Sequence, residues 1–377
     1  MKTRAQVLTA FKKPLEERAF DLAPLKDGEV LVKVLAAGVC GSDLHMASGE
    51  DPRTPLPIIL GHEGVGEIAE IKGTKADADG RPLRPGQKVL WNRGVVCGRC
   101  FFCTHGEEHL CPQRFVYGIH RSTAVAPHVN GCYAEYLPLD ARTDILALDD
   151  FPAEHLATLV TASCSGATAA HAFDHFPPRE GETVVVQGVG PLGCFMVALA
   201  RDCGAGKIVA VDVAEARLAL ARRFGATHLV NAGKGSPADR AALVKDLTDG
   251  RGADAVYEAV GKAAVVREGL GLVRPGGRYI TAGFGQPGGT MGWDPFADLV
   301  RPDLKYVGVW VSHTRHMRRA LDLIRRRLDD FAAMVTHVLP LAEANRALDL
   351  MRRGEAMKVV LQPHPQTPPR AKERKSP

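Results

Sequence analysis

The stretch TVVVQGVGPLG, Thr183–Gly193, decides the fold. Thr183–Gln187 is apolar and β-branched and reads as a strand. Gly188-Val189-Gly190-Pro191-Leu192-Gly193 then fits G-x-G-x-x-G and opens a helix over Cys194–Cys203. In that context each glycine has a task. Gly188 permits a tight turn, Gly190 lets a pyrophosphate approach the backbone, and Gly193 lets the helix pack on the strand. The helix N-terminus, headed by Pro191 and Leu192, offers free N–H groups and positive partial charge to phosphates. The next strand, Lys207–Asp212, ends in a carboxylate suited to the ribose 2′- and 3′-hydroxyls. Asp212 would repel a 2′-phosphate, so NAD is expected rather than NADP, with Arg217 near the adenosine.

Outward from this stretch the pattern alternates. Ala214–Phe224 reads as a helix, His228–Val230 as a strand, and Pro237–Thr248 as a helix with Ser236 as N-cap and proline in the first turn. Ala253–Glu258 (strand), Val265–Val273 (helix) and Arg278–Ala282 (strand) follow. Such alternation predicts an α/β fold whose residues 166–312 form a doubly wound parallel sheet, the Rossmann arrangement. Residues 1–165 have a different texture, short apolar runs broken by Gly and Pro. Val30–Ala36, Gly64–Ile71 and Lys88–Leu90 read as strands of an all-β domain. Beyond residue 313 come a helix over His316–Leu328, then Val335–Pro340, a helix near Leu341–Arg353, and Lys358–Leu361. This last strand is expected to return to the first domain, so that 313–377 belongs with 1–165.

Composition narrows the function classes. At 45% hydrophobic and 24% charged, 377 residues can bury two cores, which excludes a disordered chain. The net charge of +5 owes much to a tail carrying Arg370, Lys372, Arg374 and Lys375, expected to be frayed, so no nucleic-acid partner is needed to explain it. Neither a leader-like apolar segment nor a membrane-length apolar run occurs, and a soluble, cytoplasmic chain with reduced thiols is expected. Cys97, Cys100, Cys103 and Cys111 follow C-x2-C-x2-C-x7-C. Four thiolates on one loop close a tetrahedral shell around zinc and leave no position for substrate, so this metal is expected to be structural. Cys40 and His62 are natural ligands for a second, catalytic zinc, which needs a third protein ligand and an open position. Cys132, Cys194 and Cys203 read as small buried residues.

With these motifs assembled, the chain from residue 1 to Pro363 resembles the zinc-dependent medium-chain dehydrogenase/reductase family, the alcohol and polyol dehydrogenases. The resemblance is carried by Gly61-His62-Glu63, the four-cysteine lobe, Gly131-Cys132-Tyr133-Ala134-Glu135-Tyr136 and the dinucleotide fingerprint. It departs at Lys72, where the family usually has a small residue; Gly73 follows, a one-residue shift in a turn. The resemblance implies a GroES-like all-β catalytic domain, two zinc ions per chain, NAD, and hydride transfer between an alcohol and its aldehyde or ketone. It implies Cys40, His62 and Cys164 as ligands of the catalytic zinc, Glu63 as a neighbouring carboxylate, Asp43 as the group behind His62, and Thr168 against the nicotinamide. Ser42 and His45 would relay the alcohol proton outward. It also implies pairing across nucleotide domains through Arg301–Ser312, hence a homodimer or homotetramer.

Family pockets correspond here to Trp91-Asn92-Arg93, Phe115–Asn130 and Trp293–Phe296, and Trp91 and Arg93 are the expected substrate contacts. The run from Trp91 to Gly118 looks like a branch found with phosphonate metabolism genes. Arg93, Arg114, His120, Arg121 and His128 would suit an anionic, phosphonate-type substrate; a primary or secondary alcohol is the broader expectation. Insert 121–130 reads as a lid or a long loop. Two other readings compete. A zinc-free quinone or enoyl reductase shares the fold but lacks these ligands. A non-catalytic zinc module on nucleic acid would need a basic lobe, whereas Arg99 stands with Glu107 and Glu108.

Overall fold

A computed structural model describes residues 1–51 and 53–364; the basic tail lies outside the described residues. Thr183–Gln187 is buried along its whole length, as a central parallel strand covered on both faces must be. It sits third in a six-stranded sheet of spatial order His228–Asn231, Lys207–Asp212, Thr183–Gln187, Ala253–Glu258, Val273–Thr281 and Lys305–Gly308, with every pairing parallel. The order reverses beside Thr183–Gln187, leaving a crevice at the carboxyl ends of the strands. The helix Pro237–Asp246 starts as expected. Ser236 and Asp239 form a reciprocal capping box, and Pro237 takes the first turn. Val273 begins the fifth strand rather than ending a helix, which runs only over Ala263–Leu270.

The other unit is a seven-stranded sheet built on Val30–Val39, flanked by Glu63–Ile71 and Lys88–Trp91 on one side and by Lys358–Gln362 and Val335–Pro340 on the other. Lys358–Gln362 pairs antiparallel with the end of Val30–Val39, so the far end of the described chain completes the sheet that its beginning starts. A second, three-stranded sheet carries Lys2–Leu8, which sequence patterning did not single out. The four-cysteine lobe projects from a two-strand stem, Gly94–Val95 paired with Phe115–Val116.

One helix, Ser165–His175, joins the two units. Its small residues let neighbours approach closely: a Cβ on Gly166 would lie 2.7 Å from the Ala320 Cβ and 2.9 Å from the Phe195 ring. The largest apolar cluster runs without interruption from Ala36 and Leu90 through Leu159 and Phe173 to Phe195 and Phe331. The two units therefore share a core, and the crevice between them has a firm floor.

Candidate active site and metal centres

The strand Val30–Val39 ends at Cys40, which caps the helix Gly41–Ser48. His62 and Glu63 enter on the neighbouring strand, and Cys164 caps Ser165–His175. One ligand atom from each of Cys40, His62, Glu63 and Cys164 lies within 4.8 Å of every other, and the Cys40 and Cys164 sulfurs are 4.0 Å apart. Both ring nitrogens of His62 are buried, with no hydrogen-bond partner among the described residues. Burial opposes a charge on this ring, but Asp43 and the Cys40 thiol outweigh it and raise His62 to about 10. Cys40 is pushed well below its ordinary range, first by the hydrogen bond from Cys164. The set draws positive charge to itself, and two sulfurs with an imidazole are the donors zinc selects. The residues fit the metal.

Asp43 is the hub behind this set. Its carboxylate accepts the Cys40 N–H (2.9 Å), the Gly61 N–H (3.3 Å) and the Tyr133 hydroxyl (3.1 Å), and stands 3.5 Å from His62 Nδ1. Glu63 is wholly buried and pairs with Lys358 Nζ from the last strand. A Cβ at residue 38 would sit 2.2 Å from Glu63 Oε2, so only glycine leaves room for that carboxylate. Neither Tyr133 nor Lys358 was assigned a role from sequence.

The sulfurs of Cys97, Cys100, Cys103 and Cys111 also lie within 4.8 Å of one another, and the Cys97 N–H points at Cys111 Sγ (3.4 Å). The lobe fits a closed structural zinc site. Cys132 and Cys194 are buried, and Cys203 is half-buried.

Between the units lies a cavity of about 300 Å³. One wall carries Cys40, Ser42, His45, Arg53, Arg93, Arg114 and His120; the other carries Cys164, Thr168, Pro191, Leu192, Trp310 and Val311. Arg53 forms a bidentate pair with Asp51 and donates to the Gly285 carbonyl across the cleft (2.7 Å). Arg93 and Arg114 have no carboxylate partner among the described residues. Arg93 Nη1 lies 2.6 Å from Cys164 Sγ, and its buried Nε is unpartnered. Burial, then the Arg93 charge, push Arg114 down to about 10, and burial followed by Arg114 pushes His120 down to about 4. His45 Nδ1 is held by Glu50 at 2.6 Å.

The glycine loop behaves as a cradle. Gly188 has φ +83°, a Cβ on Gly193 would fall 1.9 Å from the Gly188 oxygen, and a Cβ on Gly190 would point into open space. Asp212 accepts the Val189 N–H (2.8 Å) and the Ala214 N–H (3.0 Å), with Arg217 at 4.0 Å.

Three expectations about the pocket need correction. Trp91 is 1% exposed and does not line the cavity. Its ring fills the β-core, where a Cβ on Gly64 would meet it at 2.3 Å; alternation along Lys88–Trp91 puts it on the inward face with Val89, and Arg93, beyond the end of that strand, faces the cleft. Trp293 and Phe296 lie exposed and away from the cavity lining. Insert 121–130 contributes nothing to the lining either: Ser122 and Thr123 tie it to the Pro57 carbonyl, and Arg121 stacks on Phe115.

Comparison with known proteins agrees with this geometry. Residues 26–150 match the alcohol dehydrogenase GroES-like domain, and residues 191–326 match the zinc-binding dehydrogenase domain. The chain is 34% identical to 5-exo-hydroxycamphor dehydrogenase of Pseudomonas putida, over 91% of this chain and 93% of that one. It is 31% identical to S-(hydroxymethyl)glutathione dehydrogenase of Escherichia coli, over 96% and 100%. Among solved structures, an alcohol dehydrogenase from Thermotoga maritima superposes with a TM-score of 0.91 at 43% identity, covering 97% of this chain and all of that one. A zinc-binding dehydrogenase from Sinorhizobium meliloti, solved with NADP, gives 0.80 at 27% identity, covering 96% and 100%. The chain belongs to the zinc-dependent medium-chain dehydrogenase family. It is an oxidoreductase acting on CH–OH groups, with sites for a catalytic zinc, a structural zinc and a nicotinamide dinucleotide. No helix of the described residues is long and apolar enough to cross a membrane.

Proposed function

We propose that the enzyme oxidises a short alcohol bearing an anionic group, carboxylate or phosphonate, with NAD, or reduces the matching carbonyl compound with NADH. The observation that carries this reading is the pair Arg93 and Arg114, two guanidiniums facing the cavity with no carboxylate partner among the described residues, one of them beside Cys164. An anion held there sits close to the reacting carbon, which favours a charge one or two bonds from the carbinol. The preference for NAD rests on Asp212 at the end of its strand.

Cys40, His62 and Cys164 would hold the catalytic zinc, with Glu63 beside it; Cys97, Cys100, Cys103 and Cys111 would hold the structural one. When bound, zinc supplies Lewis acidity to the alcohol oxygen and the nicotinamide accepts the hydride. The chain's own residues do the rest. Arg93 and Arg114 orient the anion, so the carbinol carbon has one approach. Thr168, Pro191 and Leu192 form the wall against the cofactor. Ser42 Oγ takes the alcohol proton and His45, oriented by Glu50, passes it to solvent.

Residues 1–165 with 313–377 form the catalytic domain in this reading, and 166–312 the nucleotide domain. Trp293, Phe296, Val300 and Tyr306 are exposed near the edge strand Lys305–Gly308, a surface suited to a second copy, so we read the enzyme as a homodimer or homotetramer of the cytoplasm. The deciding experiment compares kcat/KM for matched neutral, carboxylate and phosphonate alcohols by absorbance of the reduced cofactor, with and without chelator. Equal values across the panel would end the anionic reading.

A further inference from the structure

Val311 stands in the cavity wall at φ +51°, a left-handed conformation that a β-branched residue avoids unless its surroundings hold it there. What holds it is on the helix Ser165–His175. His171 Nδ1 lies 2.8 Å from the Val311 carbonyl oxygen, a contact that requires the proton on Nδ1. His171 Nε2 is 2.9 Å from His175 Nε2, and two ring nitrogens share one proton. With Nδ1–H committed to Val311, His171 Nε2 must accept and His175 Nε2–H must donate. The ring is thus fixed in one neutral tautomer.

Its position is fixed as firmly. His316 stacks on it with centroids 4.5 Å apart, and His109, from the four-cysteine lobe, meets it edge-on at 4.5 Å. Burial lowers the His171 pKa, in keeping with a neutral ring; Val311 and Asp174 oppose the shift while His175 and Arg315 add to it. His171 follows Cys164 and Thr168 at i+7 and i+3 on the helix Ser165–His175. One helix face thereby presents Cys164, the cavity-wall residue Thr168 and the support of Val311 in that same wall.

We propose that His171 is a positioning residue, holding Val311 in its strained conformation so that the Val309–Val311 wall keeps its place at the cofactor end of the cavity. The inference rests on that cavity being the nicotinamide site. Substituting the ring releases the strain, and the wall shifts against the cofactor while the metal ligands stay in place.

The test is a thermodynamic cycle read by the dissociation constant of NADH, from its fluorescence, alongside kcat, KM and zinc content. His171→Leu is expected to weaken NADH binding about tenfold with both zinc ions retained. His171→Asn, whose amide nitrogen can replace Nδ1–H, is expected to stay within about threefold. Glycine adopts φ +51° without support, so in a Val311→Gly background His171→Leu should cost no more than about twofold. Equal loss in both backgrounds, or native NADH binding by His171→Leu, overturns the proposal. Should His171→Leu fail to fold, His171→Phe keeps the ring volume and the same two outcomes decide. An unaltered chain that binds neither NADH nor NADPH overturns the cofactor reading, and this one with it.

Discussion

The guanidinium of Arg93 lies 2.6 Å, Nη1 to Sγ, from Cys164, so a fixed positive charge touches a residue of the candidate catalytic metal set. In the proposed anionic reading this charge selects the substrate. Arg93→Ala is expected to lower kcat/KM for a carboxylate or phosphonate alcohol roughly 10- to 150-fold, the worth of one hydrogen bond to a charged group. A neutral alcohol of the same length should be unaffected or improve. Arg93→Lys keeps the charge and loses the fork, so it should recover only part of the loss. Parallel loss on both substrates would show that Arg93 serves the thiolate alone.

Lys358 and Glu63 form an ion pair with side chains 1% and 0% exposed. Burial raises the Glu63 pKa and Lys358 opposes the shift. Lys358→Met leaves a carboxylate alone in the interior and should cost about 3–5 kcal/mol in urea unfolding. Lys358→Met with Glu63→Gln removes both charges and should regain most of that. A double variant as weak as the single one would mean that the lysine acts through packing.

Metal analysis separates the two centres. The unaltered chain should carry two zinc ions. Cys164→Ala should carry one and lose turnover while melting close to the unaltered protein. Cys103→Ala should also carry one, but its loss should be read first in thermal stability, since the lobe is a staple. Full turnover by Cys164→Ala with one zinc would remove Cys164 from the ligand set.

Acid should weaken the fold early. His316 is packed among His171, His313, His109 and Arg315, and burial, then His171, push it from an ordinary 6.5 to about 2, against the pull of the Asp174 carboxylate 3.0 Å from its Nε2. Between those values the unfolded chain binds a proton that the folded chain refuses, so stability falls as pH drops below about 6.5. His316→Phe should flatten that decline in urea unfolding measured from pH 7 to 5. An unchanged slope would place the acid sensitivity elsewhere.

Asp212 should govern cofactor choice. Asp212→Asn keeps an acceptor for the Val189 or Ala214 N–H but drops the charge, and is expected to narrow the NADH-over-NADPH preference about tenfold. An unchanged ratio would shift the discrimination to Arg217 or its neighbours.

The nucleotide sheet was readable from sequence because its signals are local: Thr183–Gln187, Lys207–Asp212 and Ala253–Glu258 have the expected bounds. The four-cysteine lobe was readable because four thiols at such spacing have few other uses; Cys164 entered only through the family resemblance, since a lone cysteine is more often a buried core residue. What escaped is what the fold assembles from afar. Lys358 reaches Glu63 from the other end of the chain, and Tyr133 reaches Asp43 across the β-unit. No local pattern marks either. Trp91 was misplaced because a pocket stretch known by resemblance does not say which side chains its strand turns inward. Val311 escaped too, since nothing in Trp310-Val311-Ser312 announces a positive φ.

The last strand sets a timetable for synthesis. Val30–Val39 waits through roughly three hundred residues for Lys358–Gln362 to pair with it, some 15–65 s at ribosomal rates of about 5–20 residues per second. Throughout that interval one flank of the first sheet is open, and Glu63 lies beside two thiols with no lysine to balance it. The six strands of the nucleotide unit are complete by Gly308, but its core also takes Ala320 and Phe331 from the residues that follow. Release of the chain before Lys358 would therefore leave Glu63 without its cation and Val30–Val39 without its partner strand.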